Sequence, residues 1–160
     1  MPNARGDRAV WMMRQQANFK DAEVAGDGKF YSLPFYTNLI SPTEEQDPDD
    51  VLTGNAFPPE VVGGLQALSG DVEAPLGLNS IGWHLQGLLG APVTTGAGPY
   101  THVFETAASP SLLHYTACVS HTQIANYFRH VGLTYLGLSM TGRKDGQRAR
   151  VSLNMAGLSE

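Results

Sequence analysis

Gln147–Ala156, QRARVSLNMA, is the stretch on which the fold turns. Ala149, Val151, Leu153 and Met155 alternate with Arg148, Arg150, Ser152 and Asn154. Strict two-residue alternation marks a strand with one face in a core and the other in water. The preceding Arg143-Lys144-Asp145-Gly146 carries Asp-Gly, a hairpin signal. Ahead of it, Val131–Thr141 (VGLTYLGLSMT) is apolar on both faces, as a central or an interface strand would be. The chain thus closes with a β-hairpin, one arm of which runs deep in the fold.

Working upstream, Leu112–Ser120 alternates Leu113, Tyr115, Ala117 and Val119 against His114, Thr116, Cys118 and Ser120. Tyr100–Ala107 alternates Tyr100, His102 and Phe104 against Thr101, Val103 and Glu105. Both read as strands, and Thr94–Pro99 between helix and strand reads as a loop. A single helix is expected over 79–89, with Asn79 or Ser80 as N-cap and Gly90 as the C′ residue. Ile81, Leu85, Leu88 and Leu89 make its apolar stripe, and His84 reads as a packed or rim histidine beside it. Gly82 and Gly87 each cost about 1 kcal/mol in a helix interior, so this helix needs a sheet to lie on.

Gly64–Leu76 reads as a strand with a kink at Ser69-Gly70, placing Gln66, Leu68, Gly70, Val72 and Ala74 on one face. Lys29–Ser41 is β-prone, and Pro34 within it implies a sheet edge or a bend between two short strands. Residues 8–16 read as a first strand or ordered arm, within an N-terminal arm of residues 1–20. Residues 17–28 form a loop ending in Gly26-Asp27-Gly28. The expected plan is mainly β: a sandwich or barrel with one flanking helix, one long loop, and one domain over 1–160.

Composition narrows the function. The 160 residues suffice for one domain with a core, and 18 Gly with 10 Pro favour short elements joined by turns over a helix bundle. No apolar run approaches the roughly 20 residues of a membrane-spanning helix, and no signal-peptide core follows Arg5 and Arg8, which points to a cytoplasmic origin. A lone Cys118 allows no internal disulfide and no Cys-rich zinc site. The net charge is −5, and Glu44, Glu45, Asp47, Asp49 and Asp50 account for all of it. Without these five, acids and bases are equal at ten each, so no global basic field exists for gripping nucleic acid. They sit in residues 42–60, bounded by Pro42, Pro48, Pro58 and Pro59, which read as a long loop.

The chemistry-bearing residues form no catalytic pattern. His102, His114, His121 and His130 have no H-x-x-x-H or H-E-x-x-H spacing and no Cys partner, although His102 and His114 would approach each other across a hairpin. Gly137-Leu138-Ser139-Met140-Thr141 lacks the last glycine of a nucleophile elbow. Gly96-Ala97-Gly98 lacks the Lys-Ser/Thr of a phosphate loop. Asp47, Asp49 and Asp50 would be the ligands of a cation-binding sandwich module, but without D-x-D-x-D-G spacing. Arg143, Lys144, Arg148 and Arg150 have no interleaved aromatics for nucleic-acid stacking. They fit better as partners of the acidic loop. If acid and base belong to neighbouring copies, the contact is heterologous and builds rings or filaments. No enzyme, metal or cofactor is expected.

Several segments together resemble the tail tube, or major tail, proteins of long-tailed phages. The strongest correspondence is Ser69-Gly70-Asp71-Val72 running to Pro75, then a short helix closing at Leu88-Leu89-Gly90. Thr94-Thr95-Gly96, Gly98-Pro99 and Tyr100–Phe104 follow in the same order. Ala9–Asn18 with Phe30–Phe35 resembles the family's opening, and Gly132, Leu136–Leu138 and Val151–Leu158 its closing strand pair. The resemblance implies a structural subunit with no catalytic residue. Six copies would form a ring, and stacked rings would conduct viral DNA without binding it specifically. It further implies terminator, tape-measure and distal-tail partners at the tube ends, assembly in the host bacterial cytoplasm, no membrane, and a place in the virion tail. A tube protein of a contractile secretion or phage-derived device is the alternative within the same fold. The acidic and basic residues named above are the expected contacts between copies.

Overall fold

The computed structural model describes residues 8–47, 62–106, 112–121, 123, 126–142 and 148–159. In chain order the elements are β1 (Ala9–Gln15), β2 (Tyr31–Leu33), β3 (Thr37–Asn38), β4 (Ser41–Asp47) and β5 (Val62–Pro75). Then come α1 (Leu78–Leu89), β6 (Val93–Thr95), β7 (Thr101–Val103), β8 (Tyr115–His121), β9 (Asn126–Thr141) and β10 (Arg150–Gly157). The fold is mainly β with one α-helix among the described residues, as the alternation patterns imply.

The strands run in the order β2-β1-β8-β9-β10-β5-β3, all antiparallel, and β4 also pairs with β5. β9 joins two ladders. Its first half, Asn126–Leu133, pairs with β8, and its second half, Thr134–Thr141, pairs with β10. The handover lies at Gly132, whose φ of 70° is in the left-handed region that glycine tolerates. A Cβ there would also press on Leu158 at 3.0 Å. The strand apolar on both faces is thus the central strand: every residue from His130 to Tyr135 is buried.

Both ladders face one core. Trp11, Met13, Tyr115, Ala117 and Val119 come from one side, and Leu68, Val72, Val151, Leu153 and Met155 from the other. Val151, Leu153 and Met155 are fully buried while Asn154 is exposed, so the alternation that opened the sequence reading holds. The Arg143–Gly146 turn lies outside the described residues, but the Arg150↔Thr141 pairing closes the hairpin around it. On β5, Leu68, Val72 and Ala74 are buried on the expected face. Gln66 is exposed because the strand there has run past the core. Gly70 is required by a crossing chain: a Cβ would overlap the Leu39 carbonyl oxygen and lie 2.6 Å from Ile40 Cα. Pro34 does separate two short strands, β2 and β3, each at an edge of the strand order.

Four expectations are corrected. β8 is buried on both faces, Thr116 and Ser120 included. Residues 16–28 cover its outer face, where Thr116 Oγ1 accepts from Gln16 Nε2 and from the Glu23 backbone N–H, each at 3.0 Å. Glu23 in turn accepts from the Ala17 N–H at 2.8 Å and pairs with Arg14 Nε at 2.9 Å. Thr94 and Thr95 are strand and not loop, and they pair with His102 and Thr101 in a separate two-stranded sheet. The expected long strand over Tyr100–Ala107 shrinks to β7, exposed throughout. Finally, Ser41–Asp47 is strand β4, so the first part of the expected 42–60 loop is ordered by pairing with β5, and residues 48–60 lie outside the described residues. As an edge strand β4 tolerates Pro42, and Glu44 faces water, where its charge discourages stray pairing.

The helix also differs in detail. It starts one residue earlier than expected, and Gly77, not Asn79 or Ser80, is its N-cap. Gly90 closes it with φ 98°, its N–H donating to Gln86 O at 2.9 Å. The line pressed on the core is Ser80, His84 and Gly87, with Ile81, Trp83 and Leu88 flanking it. A Cβ on Gly87 would fall well inside 3.0 Å of Tyr135 Cδ2 and Cε2 on β9. The glycine that weakens the helix is what lets it lie on the sheet.

Candidate functional site

β5 is longer than the body it belongs to. From Pro75 to Leu68 it is flanked by β10 and contributes core residues. From Ala67 back to Gly64 every residue is exposed, Leu65 at 92%. Only β4 accompanies it there, in the register Thr43↔Ala67, Glu44↔Gln66, Gln46↔Gly63 and Asp47↔Val62. β4 and β5 therefore make a two-stranded arm that leaves the sandwich at Ser41 and Ser69. Glu44 is exposed on this arm, and Glu45 and Asp47 are also in β4. Asp49 and Asp50 lie outside the described residues, which leaves the cation-module reading with only Asp47 to examine.

The basic residues sit elsewhere. Arg143 and Lys144 lie outside the described residues. Arg148 is exposed next to the start of β10. Arg150 is placed opposite Pro75 of β5, whereas Glu44 is placed opposite Gln66. Nine positions of β5 separate those two registers, a span of about 30 Å at strand rise. Glu44 and Arg150 are thus at opposite ends of β5 within one copy. Arg150 is also engaged at home: its Nη1 donates to both Glu73 carboxylate oxygens at 2.9 and 3.0 Å, and its guanidinium lies 4.5 Å from the Tyr36 ring centroid. Half-exposed as it is, that pair contributes at most about 1 kcal/mol.

A second feature escapes sequence reading. β9 leaves large apolar side chains in water: Tyr127 is 60% exposed, Leu136 61% and Met140 52%. Over Asn126–Arg129 its only ladder partner is β8, so no strand among the described residues pairs with the second edge there. Apolar strand surface beside an open edge is where another chain can add. The signal in the sequence was the two-faced apolarity of Val131–Thr141, which did not say where burial stops.

Among the described residues the sequence-predicted chemistry-bearing groups are not brought together. Among the described residues no group of three or more His, Cys, Asp or Glu is placed to hold a metal ion. His102 and His114 do not meet: His102 Nδ1 bonds Thr94 Oγ1 and His114 Nδ1 bonds Thr134 Oγ1, each at 2.8 Å. Burial pushes the Cys118 thiol up, partly offset by the nearby Arg129 cation. Ser139 sits within strand β9, not on a strand-to-helix turn. His84 has its pKa lowered to about 4 by burial. It is packed in the core, where its Nδ1 lies 3.1 Å from Tyr135 Oη and its ring stacks on Trp11.

A two-ladder sandwich, a helix seated on its central strand and a long two-stranded arm are on the page, and the family described as phage tail tube protein matches residues 6–160. The chain belongs to the phage tail tube family. A chain in the cryo-EM structure of the anti-feeding prophage (AFP) baseplate, 6-fold symmetrised, shares the fold: TM-score 0.53 at 9% identity, covering 97% of this chain and 91% of that one. No curated protein matches the sequence. This tail tube family member is a structural, tail-associated protein. No helix among its described residues is long and apolar enough to cross a membrane.

Proposed function

We propose that six copies of this chain, each a single domain over residues 1–160, close into a ring and that rings stack into a hollow tube. Viral DNA would pass through it into the host. The observation that carries this reading is the separation of charge along β5. Arg150 and Glu44 are placed about 30 Å apart along β5, so in this reading the acids and the basic residues are met by those of a neighbour, and a head-to-tail contact of that kind propagates. Glu44, Glu45, Asp47, Asp49 and Asp50 are the acidic half of the contact, and Arg143, Lys144 and Arg148 the basic half, with Arg150 bracing the sheet from which they project. The open edge of β9 supplies a second surface for a neighbour. The role is structural, with no catalytic step.

The remaining chain is neutral overall, which suits a conduit: DNA held by a strongly positive wall would stick and not slide. Terminator, tape-measure and distal-tail proteins would cap the tube, which would assemble in the bacterial cytoplasm and travel in the virion tail. The six-fold symmetrised prophage baseplate that shares the fold supports six as the ring number, and it keeps a tube of a phage-derived contractile device as the second reading. Negative-stain electron microscopy of the purified chain tests the proposal. Rings or tubes with a central hole are the expected result. Strictly monomeric particles at high concentration would overturn it. Replacing the five acids by Gln or Asn should abolish or weaken stacking, and unchanged assembly would remove the arm from the contact.

A further inference from the structure

β10 is a middle strand, with β9 along one edge and β5 along the other. It stops before they do. Its last pairs are Gly157 with Leu68 of β5 and, just beyond, Ser159 with Val131 of β9. β9 runs on past that point to Asn126, and β5 to Val62. Leu68 pairs with Gly157 and with Pro42 of β4 at once, so β4 and β10 lie on opposite edges of β5. Among the described residues, the edges of β9 and β5 that faced β10 therefore continue without a strand between them.

A cavity of about 610 Å³ occupies this gap, lined by Pro42 and Gln66 on the arm and by Cys118, Tyr127, Phe128 and Arg129 on the β8–β9 ladder. Tyr127, Phe128 and Arg129 are consecutive, so their side chains alternate between faces. A cavity that all three line sits at the edge of β9 and not on one face. The backbone of β9 points into it. Val131 turns both its backbone groups to the β10 side: its N–H donates to Ser159 O at 2.9 Å, and its C=O accepts from the Leu158 N–H at 3.0 Å. Backbone groups alternate in direction along a strand. Arg129 and Tyr127, two and four residues away in an unbroken register with β8, present theirs to the same side, and Phe128 presents its own to β8. Where β10 ends, β9 and β5 are two strand spacings apart, about 10 Å, which is the width of one strand. A strand added to a single edge pairs only every second residue, whereas one held between two edges pairs them all.

We infer that this gap is a strand-acceptor slot, filled on assembly by an extended segment of a second copy that continues the line of β10 between Asn126–Arg129 and the arm. The inference rests on the assembly reading above and names where on each subunit a neighbour enters. Asn126–Arg129 and Gly64–Ala67 are exposed, so the slot is open to an incoming chain. Arg129 adds a cation with no ion-pair partner among the described residues. A second copy brings carboxylates to it, because the chain carries five more acids than bases. Main-chain pairing then supplies affinity, and Arg129 favours a segment with an acid on the matching face.

The test compares particles assembled from the purified full chain with the dissociated subunit. Amide exchange, quenched and read by NMR, should slow at least about tenfold at Tyr127 and Arg129 on assembly and change little at Phe128. Tyr127→Pro removes the slot-facing N–H, and Tyr127→Ala removes the same ring but keeps the N–H. Proline is tolerated where no ladder partner needs its donor, so both variants should fold as subunits, checked by thermal unfolding. Tyr127→Pro should then need at least about tenfold more subunit to assemble than Tyr127→Ala. Equal assembly of the two variants, or amides at Tyr127 and Arg129 that exchange alike in subunit and particle, would overturn the slot and leave the ring proposal standing. Full protection already in the dissociated subunit would show that the chain fills the gap itself, and would overturn the slot too. If Tyr127→Pro does not fold, the wild-type exchange decides alone. A chain that stays monomeric at high concentration would overturn the ring proposal and this inference together.

Discussion

Replacing Gly87 by alanine should destabilise the protein, although helix propensity says the opposite. Gly→Ala in a helix interior gains about 1 kcal/mol on propensity alone. At Gly87 the new Cβ would fall well inside 3.0 Å of two carbons of the Tyr135 ring. That ring has nowhere to go. Tyr135 is 2% exposed, it packs edge-on to Tyr115 at 5.5 Å, and its hydroxyl is tied to His84 Nδ1 and Met13 Sδ. Forcing an extra methyl into such a site costs about 1–3 kcal/mol, and the depth of the overlap puts it at the upper end. The net expectation is a loss of about 1–2 kcal/mol. Gly82→Ala is the internal control, because its Cβ would find nothing nearer than Phe104 Cζ at 4.0 Å. It should gain about 1 kcal/mol. The two alanines on one helix should therefore differ by about 2–3 kcal/mol, or roughly 4–12 °C in Tm for a chain of this size. Urea and thermal unfolding of the dissociated subunit measure both. In a Tyr135→Leu background the Gly87→Ala penalty should shrink toward the control. Equal stability of the two single variants in the wild-type background would refute the close seating of α1 on β9.

Acid should weaken the fold through His84. Its folded pKa of about 4 lies below the ordinary 6.5, so the unfolded chain binds a proton that the folded one refuses. The contribution is fully present above pH 6.5 and lost as pH falls toward 4, in total about 3 kcal/mol for this fully buried ring. His84→Phe should flatten that part of the urea-midpoint profile between pH 7 and 4, and an unchanged slope would show that His84 is not held neutral. Thr116→Val removes the oxygen that accepts from Gln16 and Glu23 and should cost about 1–3 kcal/mol, chiefly by leaving the Glu23 N–H buried and unpaired while Gln16 Nε2 keeps the Asp21 carbonyl. Hydrogen exchange should then rise at Glu23 before it rises at Leu153, and simultaneous loss would argue that the 16–28 segment is not a separate cover. Assembly driven by contacts between the acidic arm and the basic turn should weaken as salt rises from 0.05 to about 1 M, where the screening length falls to roughly 3 Å. The variant neutral at Glu44, Glu45, Asp47, Asp49 and Asp50 should lose that dependence in sedimentation assays.

What could be read ahead of the structure follows from where each segment finds its partners. β10 was legible because the core lies on one side and water on the other, so Val151, Leu153 and Met155 alternate with polar residues. β8 looked the same on paper and is buried on both faces. The residues that satisfy Thr116 lie about a hundred positions away at Gln16 and Glu23, and no local pattern encodes them. β4 was illegible for a different reason. An edge strand faces water with most of its side chains, so Pro42 and the acids after it have the composition of a loop, and only pairing with β5 makes them a strand. On α1 the apolar stripe of Ile81, Leu85, Leu88 and Leu89 was visible, but the helix turns His84 and Gly87 to the sheet. Hydrophobic periodicity weighs side-chain character, and close approach depends on the absence of a side chain.

The same distinction holds for the assembly surface. That the acids cluster is a property of the sequence. That Glu44 stands about 30 Å along β5 from Arg150 is a property of strand order, because β10 flanks one end of β5 and β4 the other. The order matters physically. Arg150, opposite Pro75, stands at the end of β10 remote from the arm and answers Glu73 there instead of the arm's acids. Because β10 stops opposite Leu68, Glu44 projects on the arm with no cation of its own sheet beside it among the described residues. In the assembly proposed above, a basic surface from a neighbouring copy would relieve the repulsion among the acids, and the distance between Glu44 and Arg150 would give that contact a direction.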